Sequence, residues 1–214
     1  MLYRIKFEKV GLSKYISHLD LNRLFMRAIN RADINIAYSE GFNPHQKITF
    51  ASTLSLGVES YCEFVDIKCN SEQPIDNIFS RLSKYMPEGI NIKEVYIPET
   101  AFKKIALTQY HIFIAINNAD MFSLKEMFGK DILIEKKSKT KTEQVVINKY
   151  IESIDFCDTL DNNGYIKIDT VLKTGTELYL NPEYIVRAVD EKFEIGDYYI
   201  VKINMFDGNN VYFR

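Results

Sequence analysis

Histidines are the side chains best suited to acid–base chemistry near neutral pH, and this chain has three of them. Two, His18 and His45, lie in the same N-terminal stretch, and both are candidate catalytic residues for proton transfer. Neither has a carboxylate at metal-ligand spacing, and the three cysteines form no CxxC pair, so the sequence predicts no metal site. The sequence also contains no P-loop and no GxGxxG motif, and we expect no bound cofactor.

The same stretch is locally basic, in contrast to the net charge of −2 for the whole chain. Residues 13–47 hold five Lys or Arg and three Asp or Glu. In one interpretation, Arg23, Arg27 and Lys47 contact the phosphates of an RNA backbone. The alternative is a solvated arginine face on an amphipathic helix, which is the more common use of such charges.

The loop SEGFNPH, residues 39–45, combines turn-forming residues with side chains that a turn does not need. Its glycine permits a positive φ, and its proline holds the preceding residue in an extended conformation. We expect Phe42 to pack back into the core. The alternative is that Phe42 and the neighbouring Tyr38 stack on the bases of a ligand. Asn43 and His45 are candidate hydrogen-bonding groups for the same ligand.

Hydrophobic spacing predicts the elements that carry these residues. Residues 2–10 alternate apolar and charged side chains, which is the pattern of a half-buried strand. Ser17 and Asp20 then form an S-x-x-D cap at the start of a helix that runs to about Ala32. The other elements predicted in the first half are strands at 47–54, 61–69 and 90–97 and a helix at 75–85.

The second half repeats this order of elements without obvious sequence identity. Its predicted strands are 106–116, 131–136, 144–154, 163–173 and 197–206, and its predicted helices are 120–128 and 180–189. The order βαββαβ is that of the ferredoxin-like split unit. The sequence therefore predicts an α+β fold of two ferredoxin-like (βαββαβ) halves, residues 1–100 and 101–214, packed into one compact body.

Composition narrows the class of protein. The chain is 46% hydrophobic and 26% charged, as ordinary globular proteins are. The N-terminus has charges every few residues, which argues against a signal peptide, and no apolar run approaches the roughly 20 residues of a membrane span. We expect a cytoplasmic protein with no membrane partner. A lysine-rich run at 136–143 is expected to be a solvated hairpin tip, with nucleic-acid contact as the alternative.

Residues 15–60 closely resemble the opening of a radical-SAM-linked family of unknown function, DUF2344. The family pattern runs YxSHLDLxRxFxRAxRRAxLPxAYSxGFNPHPKxSFAxPLxxGxES. The residues shared with it include Ser17, His18, Asp20, Arg23, Arg27, Tyr38, Gly41, Phe42, Asn43, His45, Lys47 and Glu59. This chain departs from the pattern at Gln46, where the family tends to have proline, and at Asn30, where arginine is frequent. We expect the first change to loosen a turn and the second to weaken the basic face.

The resemblance implies partners that the residues alone do not show. Family members occur alone or fused to the C-terminus of a radical SAM protein, and their genes tend to neighbour that enzyme and ribosome or RNase genes. This chain lacks CxxxCxxC and cannot itself hold the radical SAM cluster. Whether the chain is an enzyme stays open at this point, and we favour a non-enzymatic role for it on its own.

Three hypotheses follow. The leading one is an accessory RNA- or ribosome-associated module that works with a radical SAM enzyme, with Glu59 among its binding residues. The second is an acid–base enzyme that uses His18 and His45 on RNA or a nucleotide. The third is a protein-interaction module that docks a radical SAM protein through the GFNPH loop.

Overall fold

The computed structural model describes residues 1–116, 121–137, 142–157, 165–175 and 178–214. Residues 138–141, the middle of the lysine-rich tip predicted at 136–143, lie outside these ranges. The chain divides into two compact units, Met1–Phe102 with Arg214, and Lys103–Phe213. Both units contain helices and strands, so the predicted α+β class is confirmed. In the described ranges, no helix has both the length and the apolar character needed to cross a membrane.

The first unit has the predicted order of elements, βαββαβ. These are β1 (Leu2–Lys9), a 3-10 helix (Gly11–Tyr15), α1 (His18–Arg31), β2 (Ile48–Phe50), β3 (Glu59–Lys68), α2 (Ile75–Ser83) and β4 (Ile90–Tyr96). Strand β1 pairs with β4 on one side and β3 on the other, and β2 adds to β3. Every pairing is antiparallel, which gives the order β4-β1-β3-β2.

The core of the first unit fixes the position of α1. The helix buries Leu21, Phe25, Ala28 and Ile29, which recur at helical spacing. The Phe25 ring lies 4.9 Å from that of Phe7 on β1 and 5.4 Å from that of Phe50 on β2. Aromatic contacts of this kind add to the free energy gained by burial. The polar side of α1 is therefore turned to solvent by packing on two strands.

Strand β1 is more buried than the alternation of its sequence predicts, because one of its charged residues lies inside the protein. Arg4 is fully buried, and its guanidinium lies 4.2 Å from the centre of the Phe102 ring. Two of its nitrogens bind Asp66 on β3 at 2.7 and 2.9 Å, and a third donates to the carbonyl of Arg214 at 3.2 Å. A charged residue in an alternating strand was expected to face solvent, and here a bidentate partner keeps it inside.

The second unit also follows the predicted order, with one break. Its elements are β5 (Ile105–Ile116), α3 (Met121–Phe128), β6 (Leu133–Lys137), β7 (Thr142–Val146), a 3-10 helix (Ile147–Tyr150), β8 (Ile151–Cys157), β9 (Ile166–Lys173), α4 (Glu183–Asp190) and β10 (Ile195–Asp207). The single strand predicted at 144–154 is wrong, because the 3-10 helix divides it.

Strands β10-β5-β9-β8 of the second unit pair antiparallel, and β6 pairs with β7 as a separate hairpin. The more detailed reading, two ferredoxin-like halves in one compact body, stays a prediction.

Candidate functional site

The start of α1 is a hydrogen-bonded cap built from the SHLD motif. The Ser17 hydroxyl accepts from the backbone N–H of Asp20 at 3.1 Å and donates to the Asp20 carboxylate at 2.7 Å. The other oxygen of that carboxylate accepts from Arg23 at 3.0 Å. The hydrogen bond from Ser17, and next that from Arg23, hold the pKa of Asp20 below its usual range. Capping therefore explains Ser17 and Asp20 of the motif, and the nearby Arg23, without a ligand.

Loss of this cap gives the first testable prediction. Ser17→Ala is expected to lower the free energy of unfolding by about 1 kcal/mol, because a backbone N–H in the first turn of α1 loses its acceptor. Ser17→Asn, the matched control, keeps an oxygen acceptor at the cap and is expected to cost only a few tenths of a kcal/mol. Urea unfolding followed by circular dichroism measures both. Equal and negligible losses would show that the cap does not stabilise α1.

Two arginines of α1 lie on one solvent-facing stripe with Met26 and Asn30. Arg23, Met26, Arg27 and Asn30 follow the i, i+3, i+4, i+7 spacing of a single helix face. Both arginine side chains are exposed. Arg23 is held by Asp20, whereas the Arg27 side chain forms no hydrogen bond or salt bridge within the described ranges. Of the two arginines, Arg27 is therefore the one whose guanidinium is not already bound to a carboxylate of the described residues.

The loop after Tyr38 is closed at its base by backbone hydrogen bonds. The N–H of Ser39 donates to the carbonyl of His45 at 2.7 Å, and the N–H of His45 donates to the Ser39 hydroxyl at 2.9 Å. Gly41 has a φ of +119°, which favours glycine there. Sequence reasoning missed the role of Ser39. The sequence feature that could have indicated this role is a serine at the start of the loop, where its hydroxyl can accept from a backbone N–H and close the turn.

Phe42 does not pack into the core as expected. Its side chain is 107% exposed at the tip of this loop, so the prediction of a core contact is wrong. Asn43 and His45 are also exposed, and their side chains form no hydrogen bond among the described residues. The closed base holds the chain in a turn that points these three side chains at solvent.

Gln46 ties the loop to the arginine stripe of α1. Its buried side-chain nitrogen donates to the side-chain oxygen of Asn30, to the Tyr38 hydroxyl at 3.3 Å and to the carbonyl of Met26 at 3.5 Å. Gln46 and Asn30 are the two departures from the family pattern noted above, and they bind each other. The Gln46 amide nitrogen supplies donors that a proline lacks, whereas its side-chain oxygen is buried without a hydrogen-bond partner among the described residues, so a looser turn stays a prediction.

Lys47 follows the loop and joins it to the sheet through backbone hydrogen bonds. Its backbone N–H donates to Ala37 at 2.8 Å, and its carbonyl accepts from Lys68, the last residue of β3, at 3.0 Å. The Lys47 side chain is exposed and forms no salt bridge in the part of the chain that the structure describes. Gln46 and Ile48, the residues on either side of Lys47, face α1 and the core, so the Lys47 side chain leaves the opposite side of this extended segment. We call Arg27, Tyr38 and the loop tip, together with Lys47 directly after the loop, the helix–loop surface.

The structure does not bring the two candidate catalytic histidines together. His18 is the first residue of α1, and its ring packs edge-on against Phe50 at 5.2 Å. The loop joins α1 at Asn30, about 18 Å further along the helix axis at 1.5 Å per residue. No hydrogen bond or ring contact joins His18 and His45 among the described residues.

Glu59 also lies away from the helix–loop surface. It is the first residue of β3 and forms a half-buried ion pair with Lys14 at 3.4 Å. The loop is anchored at Lys68, about 30 Å further along the same strand at 3.3 Å per residue. Within the described ranges, no three His, Cys, Asp or Glu side chains are grouped to hold a metal ion.

A family profile described as "Uncharacterized protein conserved in bacteria (DUF2344)" matches residues 2–182. The chain belongs to this family. The match includes the whole helix–loop surface and continues far beyond residues 15–60, which carry the resemblance seen in the sequence. No curated protein matches the DUF2344 chain.

Among solved structures, the DUF2344 chain is similar to a chain in a crystal structure of a Cbf5-Nop10-Gar1 complex. The TM-score is 0.52 and the sequence identity is 8%, with 95% of this chain and 48% of that chain covered. The DUF2344 chain thus spans about half the length of its structural neighbour. At this low identity, the likeness shows the fold alone.

Proposed function

We propose that this DUF2344 chain is an RNA- or ribosome-associated binding module that acts with a radical SAM modification enzyme. The observation that supports RNA binding is the contact of Gln46 with Asn30 and Met26, which aligns the loop with the arginine stripe. The radical SAM partner is supported by the family resemblance.

The helix–loop surface offers both kinds of group that single-stranded RNA requires. Arg27 and Lys47 are exposed cations for phosphates, and the fully exposed Phe42 ring is available for base stacking. Tyr38, which pairs with Gln46 at the base of the loop, is 47% exposed. Asn43 and His45 add hydrogen-bonding groups at the loop tip, where base edges would lie. Hydrogen bonds at the base of the loop hold these groups in place, which reduces the entropy lost on binding.

Salt-dependent RNA binding tests this proposal. We expect Arg27→Ala/Lys47→Ala to weaken binding of a single-stranded RNA oligonucleotide about tenfold at low salt, because two phosphate contacts are lost. The slope of log affinity against log salt should also become shallower by about 1.4, or 0.7 per contact. Fluorescence anisotropy with labelled RNA measures both quantities.

The matched control is Lys84→Ala/Lys93→Ala, which removes two exposed charges from the same unit away from this surface. If the control weakens RNA binding as much, the RNA is attracted by the net charge of the protein and the helix–loop surface is not the binding site. Absence of binding to tRNA, rRNA fragments and ribosomes at low salt would reject the RNA proposal outright. Co-purification with a co-expressed radical SAM protein tests the partner separately.

The full exposure of Phe42 favours one further candidate, a protein-docking loop. In that case Phe42→Ala abolishes co-purification with the radical SAM protein, while Arg27→Ala/Lys47→Ala does not. The acid–base hypothesis has less support, because His18 contacts Phe50 at the far end of α1 from the loop anchor.

A further inference from the structure

One face of the sheet in the second unit presents a grid of polar and aromatic side chains. Residues directly opposite in an antiparallel sheet share a face, as do alternate residues along each strand. One row on this face is Asp155, Asp169, His111 and Val201, and the adjacent row is Cys157, Lys167, Phe113 and Tyr199. Most of these side chains are partly exposed. The opposite face carries Ile112 and Ile168, which are fully buried.

The aromatic part of this face is preformed. The rings of Phe113 and Tyr199 are stacked, with centroids 4.4 Å apart and planes within 10°. Tyr165 lies edge-on to Tyr199 at 5.3 Å and donates its hydroxyl to Asp197 at 3.4 Å. Together they form a partly exposed apolar platform with a carboxylate at its border.

The acidic part of the face holds one carboxylate in a fixed position. Asp169 accepts from Gln109 at 2.9 Å and lies 3.2 Å from the ring nitrogen of His111. Asn204 in turn donates to Gln109 at 3.0 Å. Asp155 is the direct cross-strand neighbour of Asp169, and like charges in that arrangement repel. A bound cation would relieve that repulsion.

The face as a whole is negative. Asp155, Asp169 and Asp197 are set against Lys167 and Lys173 of β9. Lys173 is already paired with Glu152 at 3.9 Å. Burial, and next the charge of Lys167, lower the pKa of His111, although Asp169 acts in the opposite direction. His111 therefore adds little positive charge at neutral pH.

We propose that this sheet face docks an arginine-rich peptide segment of a partner protein. A guanidinium binds a carboxylate through two parallel hydrogen bonds, and its flat, weakly hydrated group packs on aromatic rings. The cross-strand aspartates supply the first kind of contact, and Phe113 and Tyr199 supply the second. The net negative charge opposes RNA, which needs cations along its backbone. This proposal uses the second unit alone and does not depend on RNA binding by the first.

The test uses the full chain and a fluorescein-labelled nonapeptide of alternating arginine and glycine. We expect Asp155→Asn/Asp169→Asn to weaken peptide binding about tenfold at low salt, with about threefold for Asp155→Asn alone, as lost surface ion pairs predict. Lys167→Gln should change affinity in the opposite direction and strengthen binding about twofold, because it removes the cation that competes with the peptide.

Asp131→Asn is the matched control, since it removes an exposed carboxylate from the same unit outside this face. Equal weakening by Asp131→Asn would mean that attraction is non-specific and would overturn the proposal. So would undetectable peptide binding at low salt, or a Lys167→Gln variant that binds more weakly. Binding of a single-stranded RNA oligonucleotide that is lost in Phe113→Leu but unchanged in Asp155→Asn would identify the face as an RNA platform instead.

Discussion

Asp66→Asn is expected to lower the free energy of unfolding by about 3–5 kcal/mol, the usual cost of breaking a buried ion pair on one side. Asp66 binds the fully buried Arg4 through both carboxylate oxygens, at 2.7 and 2.9 Å. An asparagine keeps the shape but removes the charge that compensates the guanidinium. Urea unfolding followed by circular dichroism measures the loss.

Two comparisons separate this effect from a general loss of charge. Asp33→Asn removes the carboxylate of an exposed pair with Arg81, and we expect a change below about 0.5 kcal/mol. Arg4→Met/Asp66→Leu replaces both buried charges by apolar groups and is expected to be more stable than Asp66→Asn alone. If the double variant is the less stable of the two, burial of an unpaired charge is not what destabilises Asp66→Asn.

Tyr96 gives the second large effect, and it depends on pH. Its hydroxyl is buried without a hydrogen-bond partner among the described residues, and burial raises its pKa to about 12. Between pH 10 and 12, the unfolded chain loses the phenolic proton while the folded chain keeps it. The folded state therefore loses stability as pH rises, on the order of 2 kcal/mol for a shift of this size.

Tyr96→Phe should abolish that alkaline loss. At pH 7 we expect the variant to be as stable as the natural chain or more stable by up to about 1 kcal/mol, because an unsatisfied buried hydroxyl is removed. Above pH 10 its advantage should grow. Tyr85→Phe, at a tyrosine that is 37% exposed in the same unit, is the control and should show no such growth. Urea unfolding of the natural chain and of both variants at pH 7 and pH 11 measures these differences in the free energy of unfolding.

The parts of the site that were predicted correctly depend on neighbours in sequence. The cap at Ser17, the helix that follows it and the turn around Gly41 were all read from short-range patterns. Helix periodicity and turn chemistry act over a few residues, so one chain is enough to recognise them.

The parts that were missed depend on residues that are distant in sequence. Gln46 binds Asn30, which lies 16 residues earlier in the chain. Glu59, at the start of β3, binds Lys14 instead of the loop. Arg4 is buried because Asp66 is its cross-strand partner on β3. The sequence around each residue does not determine which distant residue it contacts. Phe42 was expected inside because aromatic residues are usually buried, yet its closed loop holds it outside.

Because the loop is closed beneath its tip, position 42 is a natural attachment point for a reporter group. Both strands leaving the loop are held by the Ser39–His45 hydrogen bonds and by the amide of Gln46, so a bulky label at the tip leaves those contacts in place. Phe42→Cys would add a thiol in full solvent, whereas Cys62 and Cys69 are buried; Cys157 is partly exposed and would be changed to serine in the labelled chain. A dye carried there in place of the ring would report on those contacts of the helix–loop surface that do not require Phe42.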